Sequence, residues 1–115
     1  MSTALRERHC RRLEQGSPAL PATEAQELLK ALHTDWTLDA GDNAIECVFR
    51  FKNYYETIAF VNALAWIAHS EDHHPDLSVS YSRCTVRYST HSVGGLSEND
   101  FICAARLDAL RPAAD

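Results

Sequence analysis

Histidine is the residue type with the clearest chemical potential in this sequence. The chain has six histidines, and four of them fall where predicted helices and strands end: His69, His73, His74 and His91. Imidazole titrates near neutral pH, so several histidines at the mouth of one site can deliver and remove protons, each step worth roughly 10²- to 10⁴-fold in rate. This placement favours a proton-transfer enzyme.

Each of these histidines also has a simpler interpretation. His73 and His74 can cap the C-terminus of a helix, where the helix dipole favours a cation, and His91 can be an ordinary loop residue. A metal site is a further interpretation, because His69 and His73 lie four residues apart on a predicted helix with carboxylates nearby. An HxxxH pair alone is a weak signal and no second cluster of ligands is obvious, so metal binding ranks below acid–base chemistry.

Apolar residues at helical spacing predict three helices that would position these side chains. Thr23 with Gln26 is a capping-box pattern for the first helix, and Ser97 begins the last one. Pro75 limits the central helix and Pro112 ends the last. The helices are expected over about Glu24–His33, Tyr54–His73 and Glu98–Leu110.

Alternation of apolar and polar residues predicts four strands in two antiparallel hairpins. Turns are expected at Gly41-Asp42-Asn43 and at Ser82-Arg83. The resulting order, α-β-β-α-β-β-α, predicts an α+β two-layer sandwich, in which a four-stranded antiparallel sheet carries all three helices on its apolar face. The strands are expected over Trp36–Leu38, Ala44–Lys52, Leu77–Tyr81 and Cys84–Ser89.

Length and composition limit the possible classes of protein. A chain of 115 residues with 45% hydrophobic residues can form one compact core. We expect a flexible N-terminal arm over residues 1–19, mobile or loosely docked, and a single domain over residues 20–111. The formal net charge of −5 argues against nucleic-acid binding, which needs a clustered basic face.

Hydropathy and cysteine spacing predict the cellular compartment. The longest apolar run, Ile58–Ala68, is too short to span a membrane, and the first twelve residues lack the apolar region of a secretory signal. The four cysteines form no CxxC pair, so we expect neither disulfides nor a zinc ribbon. A cytoplasmic protein is therefore expected.

One stretch of the sequence joins these histidines to other residue types at fixed spacing. It runs His69-Ser-Glu-Asp-His73-His74-Pro75, then Tyr81, Thr90-His91 and Gly95-Leu96-Ser97-Glu98-Asn99-Asp100. This pattern resembles the signature of the pterin-4a-carbinolamine dehydratases. The resemblance covers about Leu20–Leu110, and the fold of that family agrees with the order of elements derived above from periodicity.

The resemblance implies a dehydration. Aromatic amino acid hydroxylases leave their tetrahydrobiopterin as a 4a-hydroxy adduct, and the family removes water from it to give quinonoid dihydropterin in tetrahydrobiopterin recycling. The reaction needs an acid for the leaving hydroxyl and a base for the proton of the ring nitrogen, and the family uses neither a metal nor another cofactor. The family also assembles as homodimers or homotetramers.

Matched position by position, the resemblance makes His73, His74 and His91 the catalytic histidines. It favours His73 and His91 as the acid–base groups on the hydroxyl, and His74 in positioning or in a second proton transfer. Asp100 is expected to orient and activate a neighbouring imidazole. His69 stands where the animal enzymes have Glu and adds a supporting titratable group at the rim.

Three further residues are predicted to contact the pterin. Ser89 and Thr90 lie beside His91 at a strand end, where backbone groups could pair with the pterin edge. Leu77 replaces a Trp of the animal enzymes, so it would alter affinity if that position packs on the pterin; the simpler interpretation is a core residue of the strand.

Two other functions compete with catalysis. The chain could be a pterin-binding protein of another pathway, such as molybdopterin metabolism, or a dimerisation cofactor without catalysis, as some animal members of the family are. The intact set of His73, His74 and His91 favours the enzyme, because a scaffold needs no titrating groups at matched spacing.

Overall fold

The computed structural model describes residues 4–39, 41 and 43–111 of the chain. Its elements follow the predicted order α-β-β-α-β-β-α, with two additional short 3₁₀ helices at Leu5–Glu7 and His91–Val93. Among the described residues, no helix combines the length and the apolar character needed to cross a membrane. The main elements are α1 (Ala22–Leu29), β1 (Thr37–Asp39), β2 (Ala44–Arg50), α2 (Tyr54–Glu71), β3 (Asp76–Val79), β4 (Arg83–Tyr88) and α3 (Glu98–Asp108).

The four strands form one antiparallel sheet in the order β1-β2-β4-β3, which confirms the predicted sheet. The two hairpins meet at the central β2–β4 pair, where Ile45 lies opposite Tyr88 and Cys47 opposite Val86. These four side chains are at most 1% exposed. Opposed residues share a face of the sheet, so the register places the apolar side chains of both central strands on one buried face.

A single core cluster joins this buried face to residues from all three helices. Ala25 contributes from α1, Leu64 from α2 and Phe101 from α3. The α+β class is therefore confirmed. The placement of the three helices in one layer stays a prediction.

The first helix differs at both ends from its predicted bounds. It begins at Ala22, with Pro21 as its extended N-cap, so Thr23 lies inside the first turn and the predicted capping box at Thr23 is wrong. At its C-terminal end the backbone continues in i→i−3 hydrogen bonds, with the N–H of Leu32 donating to the carbonyl of Leu29. This tighter turn ends the α-helix four residues before the predicted His33.

The central helix ends at Glu71, two residues before the predicted His73. Asp72 adopts a left-handed conformation (φ 52°, ψ 44°), and the N–H of His73 donates back to the carbonyl of Ala68. Such a cap satisfies the last carbonyl groups of a helix and redirects the chain. His73 therefore begins the loop that leads to β3.

Two of the predicted turn and stop signals fall beyond what the structure describes. Asp42, in the middle of the Gly41-Asp42-Asn43 turn, and Pro112, the predicted stop of the last helix, both lie outside the described residues. The last helix ends at Asp108, within two residues of the predicted Leu110.

The N-terminal segment from residue 4 to residue 20 makes specific contacts with the domain. Leu5 is buried in the core at 7% exposure. The N–H of Arg11 donates to Asn99 Oδ1 at 3.1 Å, and Asn99 Nδ2 donates to the carbonyl of Arg11 at 2.8 Å. This reciprocal pair aligns the segment with the first turn of α3.

Leu64 on α2 offers a test of the core. The side chain is 2% exposed, so Leu64→Ala removes apolar contacts and leaves a cavity. We expect it to lower the free energy of unfolding by about 2–5 kcal/mol in urea titrations. Asn62→Ala, on the exposed side of the same helix, is the control and should change it by less than about 0.5 kcal/mol. Equal effects of the two substitutions would contradict this account of the core.

Candidate active site

A buried carboxylate organises the region where the predicted site residues meet. Asp100 is 0% exposed and lies in the first turn of α3. Its Oδ2 accepts hydrogen bonds from the backbone N–H of Ser97 (2.9 Å) and the hydroxyl of Thr90 (2.8 Å), while its Oδ1 lies 2.6 Å from His73 Nε2. A buried carboxylate is stable only when its oxygens are paired in this way.

Asp100 also fixes the orientation of the His73 ring. The ring stacks on Tyr88 at a centroid distance of 5.4 Å and an interplanar angle of 16°. Since Nε2 faces Asp100, Nδ1 is the ring nitrogen that remains for a ligand. The expected role of Asp100 as the orienting partner of an imidazole agrees with this contact, although the catalytic role itself stays a prediction.

The pKa of His73 is raised above its ordinary value. Burial by itself would lower the pKa, because it disfavours the cation, but the hydrogen bond and the negative charge of Asp100 outweigh burial. His73 therefore stays in its doubly protonated, cationic form up to a higher pH than a histidine in water. A protonated imidazole with one free nitrogen is suited to act as a general acid.

A cleft of about 380 Å³ opens beside His73. It brings together five of the predicted site residues from two parts of the chain, the α2–β3 loop and the segment that follows β4. These five are His73, His74, Ser89, Thr90 and His91. The volume falls in the range of pockets that hold small organic ligands.

Besides the buried Asp100, two predicted site residues do not line this cleft. His69 is exposed on α2, with its ring 5.7 Å from that of Trp66. Leu77 lies on the edge strand β3 and is 38% exposed, so it is not a fully buried core residue. The supporting role of His69 and the pterin contact of Leu77 stay predictions that the cleft does not support.

Thr90 lies at the cleft but is occupied by internal hydrogen bonds. Its Oγ1 bonds Asp100 and lies 2.6 Å from Ser97 Oγ, its N–H donates to the carbonyl of Gly95 at 2.7 Å, and its carbonyl accepts from Gly95. These bonds make Thr90 a support for Asp100. Ser89 is exposed and is better placed to meet a ligand.

Sequence reasoning missed four lining residues: Asp72, Asp76, Arg87 and Ser92. Arg87 Nη2 lies 3.0 Å from Asp39 Oδ2 and its Nη1 lies 3.4 Å from Glu46 Oε1, so carboxylates of β1 and β2 hold this guanidinium beside the cleft. The alternation of β4 predicted Arg87 on the polar face of the sheet. It held no signal that this end of the strand borders a cleft.

A second cleft, of about 590 Å³, lies against the same histidine. It shares Asp72, His73, Thr90 and Ser92 with the first cleft, and its outer wall comes from the N-terminal segment, residues 10–13. Glu71 anchors this wall, because its Oε1 accepts from the N–H of Cys10 at 2.6 Å. The N-terminal segment thus contributes to the surroundings of the site, which the sequence did not reveal.

Within the described residues, no three side chains of His, Cys, Asp or Glu converge as a metal site. Of the HxxxH pair, His73 directs Nε2 to Asp100, and His69 is exposed and does not line the cleft. Three histidines thus line the cleft, and one of them, His73, is paired to a buried carboxylate.

Comparison with known families identifies the domain. The family model described as pterin 4 alpha carbinolamine dehydratase matches residues 18–110. The chain belongs to this family. The match includes every residue that lines the first cleft, and it begins after most of the N-terminal segment.

Individual relatives agree with the family assignment. A protein of Nitrosomonas eutropha, whose pterin-4-alpha-carbinolamine dehydratase name is a provisional assignment, is 57% identical over 106 residues and 92% of each chain. A solved transcriptional coactivator/pterin dehydratase from Brucella melitensis is 34% identical, with a TM-score of 0.75 over 79% of this chain and 96% of that one. A pterin dehydratase-like RuBisCO assembly factor of the alpha-carboxysome is 25% identical, with a TM-score of 0.59 over 68% and 90%.

The contact between His73 and Asp100 predicts a measurable titration shift. Asp100→Asn removes the negative charge that raises the pKa of His73 and leaves burial as the main influence, so we expect that pKa to fall below its ordinary value of 6.5. Titration of the ring by NMR measures it directly. Glu98→Gln, which neutralises a more exposed carboxylate in the same helical turn, is the control and should leave the His73 titration unchanged.

The His73–Asp100 pair also makes the free energy of unfolding depend on pH, in a direction that follows from the raised pKa of His73. Because the folded pKa of His73 is raised, its contribution to stability is complete below 6.5 and is lost as the pH rises through the folded value. Any stability advantage of the wild type over Asp100→Asn should shrink over that window. An advantage that grows with pH there would contradict the proposed protonation of His73.

Proposed function

We propose that this chain removes water from a 4a-hydroxytetrahydropterin to give the quinonoid dihydropterin, by general acid–base catalysis with histidine. One observation carries the proposal: in a chain of the dehydratase family, His73, His74 and His91 line one cleft and a buried Asp100 orients the first of them. The physiological setting that we propose is the recycling of tetrahydrobiopterin in the cytoplasm, where free thiols such as those of the four cysteines persist.

His73 acts as the acid in this mechanism. Its raised pKa favours the imidazolium, and Asp100 holds Nε2, so the Nδ1–H proton is directed to the leaving 4a-hydroxyl. When the carbon–oxygen bond breaks, the hydroxyl leaves as water and His73 becomes neutral. The Asp100 carboxylate then keeps the proton on Nε2, which leaves Nδ1 ready to accept the next proton.

The second proton leaves the pterin ring nitrogen. His91 begins the short helix after β4 and His74 directly follows His73, so both exposed rings reach the cleft from different segments. We assign His91 to proton transfer with the substrate, and His74 to positioning or to a second transfer. No metal or other cofactor is needed, because two imidazoles supply both proton steps.

The lining of the cleft is polar, which suits the flat pterin edge with its donors and acceptors. Ser89 is an exposed residue of the lining, and Arg87 and Asp76 lie on adjacent strands. Asp76 is opposite Arg87 in the β3–β4 register, so residues of opposite charge lie side by side in the lining of this cleft.

Substitution of the proposed catalytic histidines should strongly slow the dehydration that the chain catalyses. We expect His73→Ala and His91→Ala each to slow dehydration by roughly 10²- to 10⁴-fold, because each removes one proton-transfer group. Ultraviolet absorbance follows the reaction while an aromatic amino acid hydroxylase generates the adduct. His33→Ala, an exposed histidine beyond α1, is the matched control and should retain the rate within about twofold.

Circular dichroism of each variant separates loss of chemistry from loss of fold. A wild-type chain that fails to accelerate dehydration above the spontaneous rate would refute the enzymatic function. The chain would then be a pterin-binding protein of another pathway or a dimerisation cofactor without catalysis.

We also propose that the chain forms a homodimer or homotetramer through the free edge of β3. This strand is hydrogen-bonded to β4 on one side, and among the described residues its other side has no strand neighbour. Leu77 and Val79 are 38% and 42% exposed although they share a face with the fully buried Val86 and Cys84. An unpaired edge with exposed apolar side chains favours pairing with a second copy.

The register of β3 permits a specific test of this edge. The N–H of Ser80 donates to the carbonyl of Arg83, so by antiparallel alternation the N–H of Val79 points away from β4. Val79→Pro removes that outward donor and should give monomers of 12.9 kDa in sedimentation experiments, whereas Val79→Ala keeps the donor and should remain oligomeric. A wild-type chain that sediments as a monomer would refute the proposal.

A further inference from the structure

Two cysteine sulfurs lie close together beneath the second cleft. Cys10 Sγ, on the N-terminal segment, is 3.5 Å from Cys103 Sγ on α3. A disulfide bond needs about 2.05 Å, so the two atoms would have to approach by about 1.5 Å. Cys10 is held nearby through its own N–H, which donates to Glu71, and through its thiol, which contacts the carbonyl of Asn99 at 3.5 Å.

The two thiols differ in access and in protonation. Cys10 is half-buried and lines the second cleft, whereas Cys103 is 0% exposed. Hydrogen bonding from Cys10, opposed by burial, lowers the pKa of Cys103, and the same contact together with burial raises the pKa of Cys10. One proton shared between the sulfurs is the arrangement that lets one thiolate form while the other remains a thiol.

From this geometry we infer that Cys10 and Cys103 form an oxidisable pair, which a peroxide converts into an intramolecular disulfide. The bond would tie the N-terminal segment covalently to α3, beside the loop that holds His73, whose carbonyl lies 4.0 Å from Cys103 Sγ. This modification site does not depend on the proposed dehydratase activity.

The chemistry balances with hydrogen peroxide as the oxidant. The sulfur of the pair that is present as thiolate attacks peroxide; a sulfur–oxygen bond forms, the oxygen–oxygen bond breaks, and hydroxide leaves and takes a proton from solvent to become water. The other cysteine, which carries the shared proton, then loses it and attacks the oxidised sulfur, so that a disulfide bond forms and the second hydroxide leaves with that proton as water. Two thiols are oxidised and one peroxide is reduced to two waters.

The other two cysteines provide an internal comparison. Cys47 and Cys84 are both buried, and Cys47 Sγ accepts a hydrogen bond from Arg111 Nη2 at 3.2 Å. Burial raises the pKa of Cys47 to about 11 and also raises that of Cys84. Both should therefore stay reduced under conditions that oxidise the Cys10–Cys103 pair.

To test the inference, the reduced chain of 115 residues is treated with hydrogen peroxide, and its free thiols are counted after denaturation. We expect the count to fall from four to two, the mass to fall by about 2 Da, and one cross-linked peptide to contain Cys10 and Cys103. Thermal unfolding should shift upward by roughly 10 °C, because the bond closes a loop of most of the chain. Dithiothreitol should reverse all of these changes.

Substitution of single cysteines distinguishes the Cys10–Cys103 pair from the other two cysteines. Cys10→Ala removes the half-buried partner, leaves the core intact, and should abolish both the cross-link and the thermal shift. Cys47→Ala removes a cysteine outside the pair and should lose two thiols on oxidation, as the wild type does. Four thiols retained in the oxidised wild type, a cross-link between two chains, or a thermal shift that survives Cys10→Ala would overturn the inference.

Discussion

The pairing of one buried carboxylate determines the arrangement of the whole site. Asp100 has no contact with water, so each of its oxygens must accept hydrogen bonds from the protein. Its partners come from the loop after α2, the segment after β4 and the N-cap of α3. Three separate elements therefore converge on one side chain, and the position of the His73 ring follows from this convergence.

The sequence predicted this group of residues because most of its signals are local. Ser97 and Asp100 have the spacing of a helix start, and His73, His74 and His91 follow the ends of apolar patterns, where side chains leave the core. Alternation likewise predicted the buried face of β2 and β4. Their partnership in space came from the resemblance to a family, since spacing alone does not reveal that residues 73 and 100 meet.

The sequence could not predict contacts that depend on distant segments. Alternation places Arg87 on the polar face of β4, but only the paired sheet shows that Asp39 and Glu46 hold it at a cleft. The N-terminal segment is polar and contains Gly and Pro, which suggested an arm. Its anchors, Glu71 and Asn99, lie more than sixty residues away in the chain, and no local pattern reports such pairing.

The two other groups that donate hydrogen bonds to Asp100 also influence how readily His73 releases and regains a proton. A carboxylate that accepts from His73 alone would hold the imidazolium strongly and would make a poor proton donor of it. Thr90 and the N–H of Ser97 share the negative charge, and burial of the ring opposes the cation, so both influences limit how far Asp100 can raise the pKa of His73. The residues that stabilise the start of α3 thereby keep His73 able both to release and to regain a proton, which is what an acid in a repeating catalytic cycle requires.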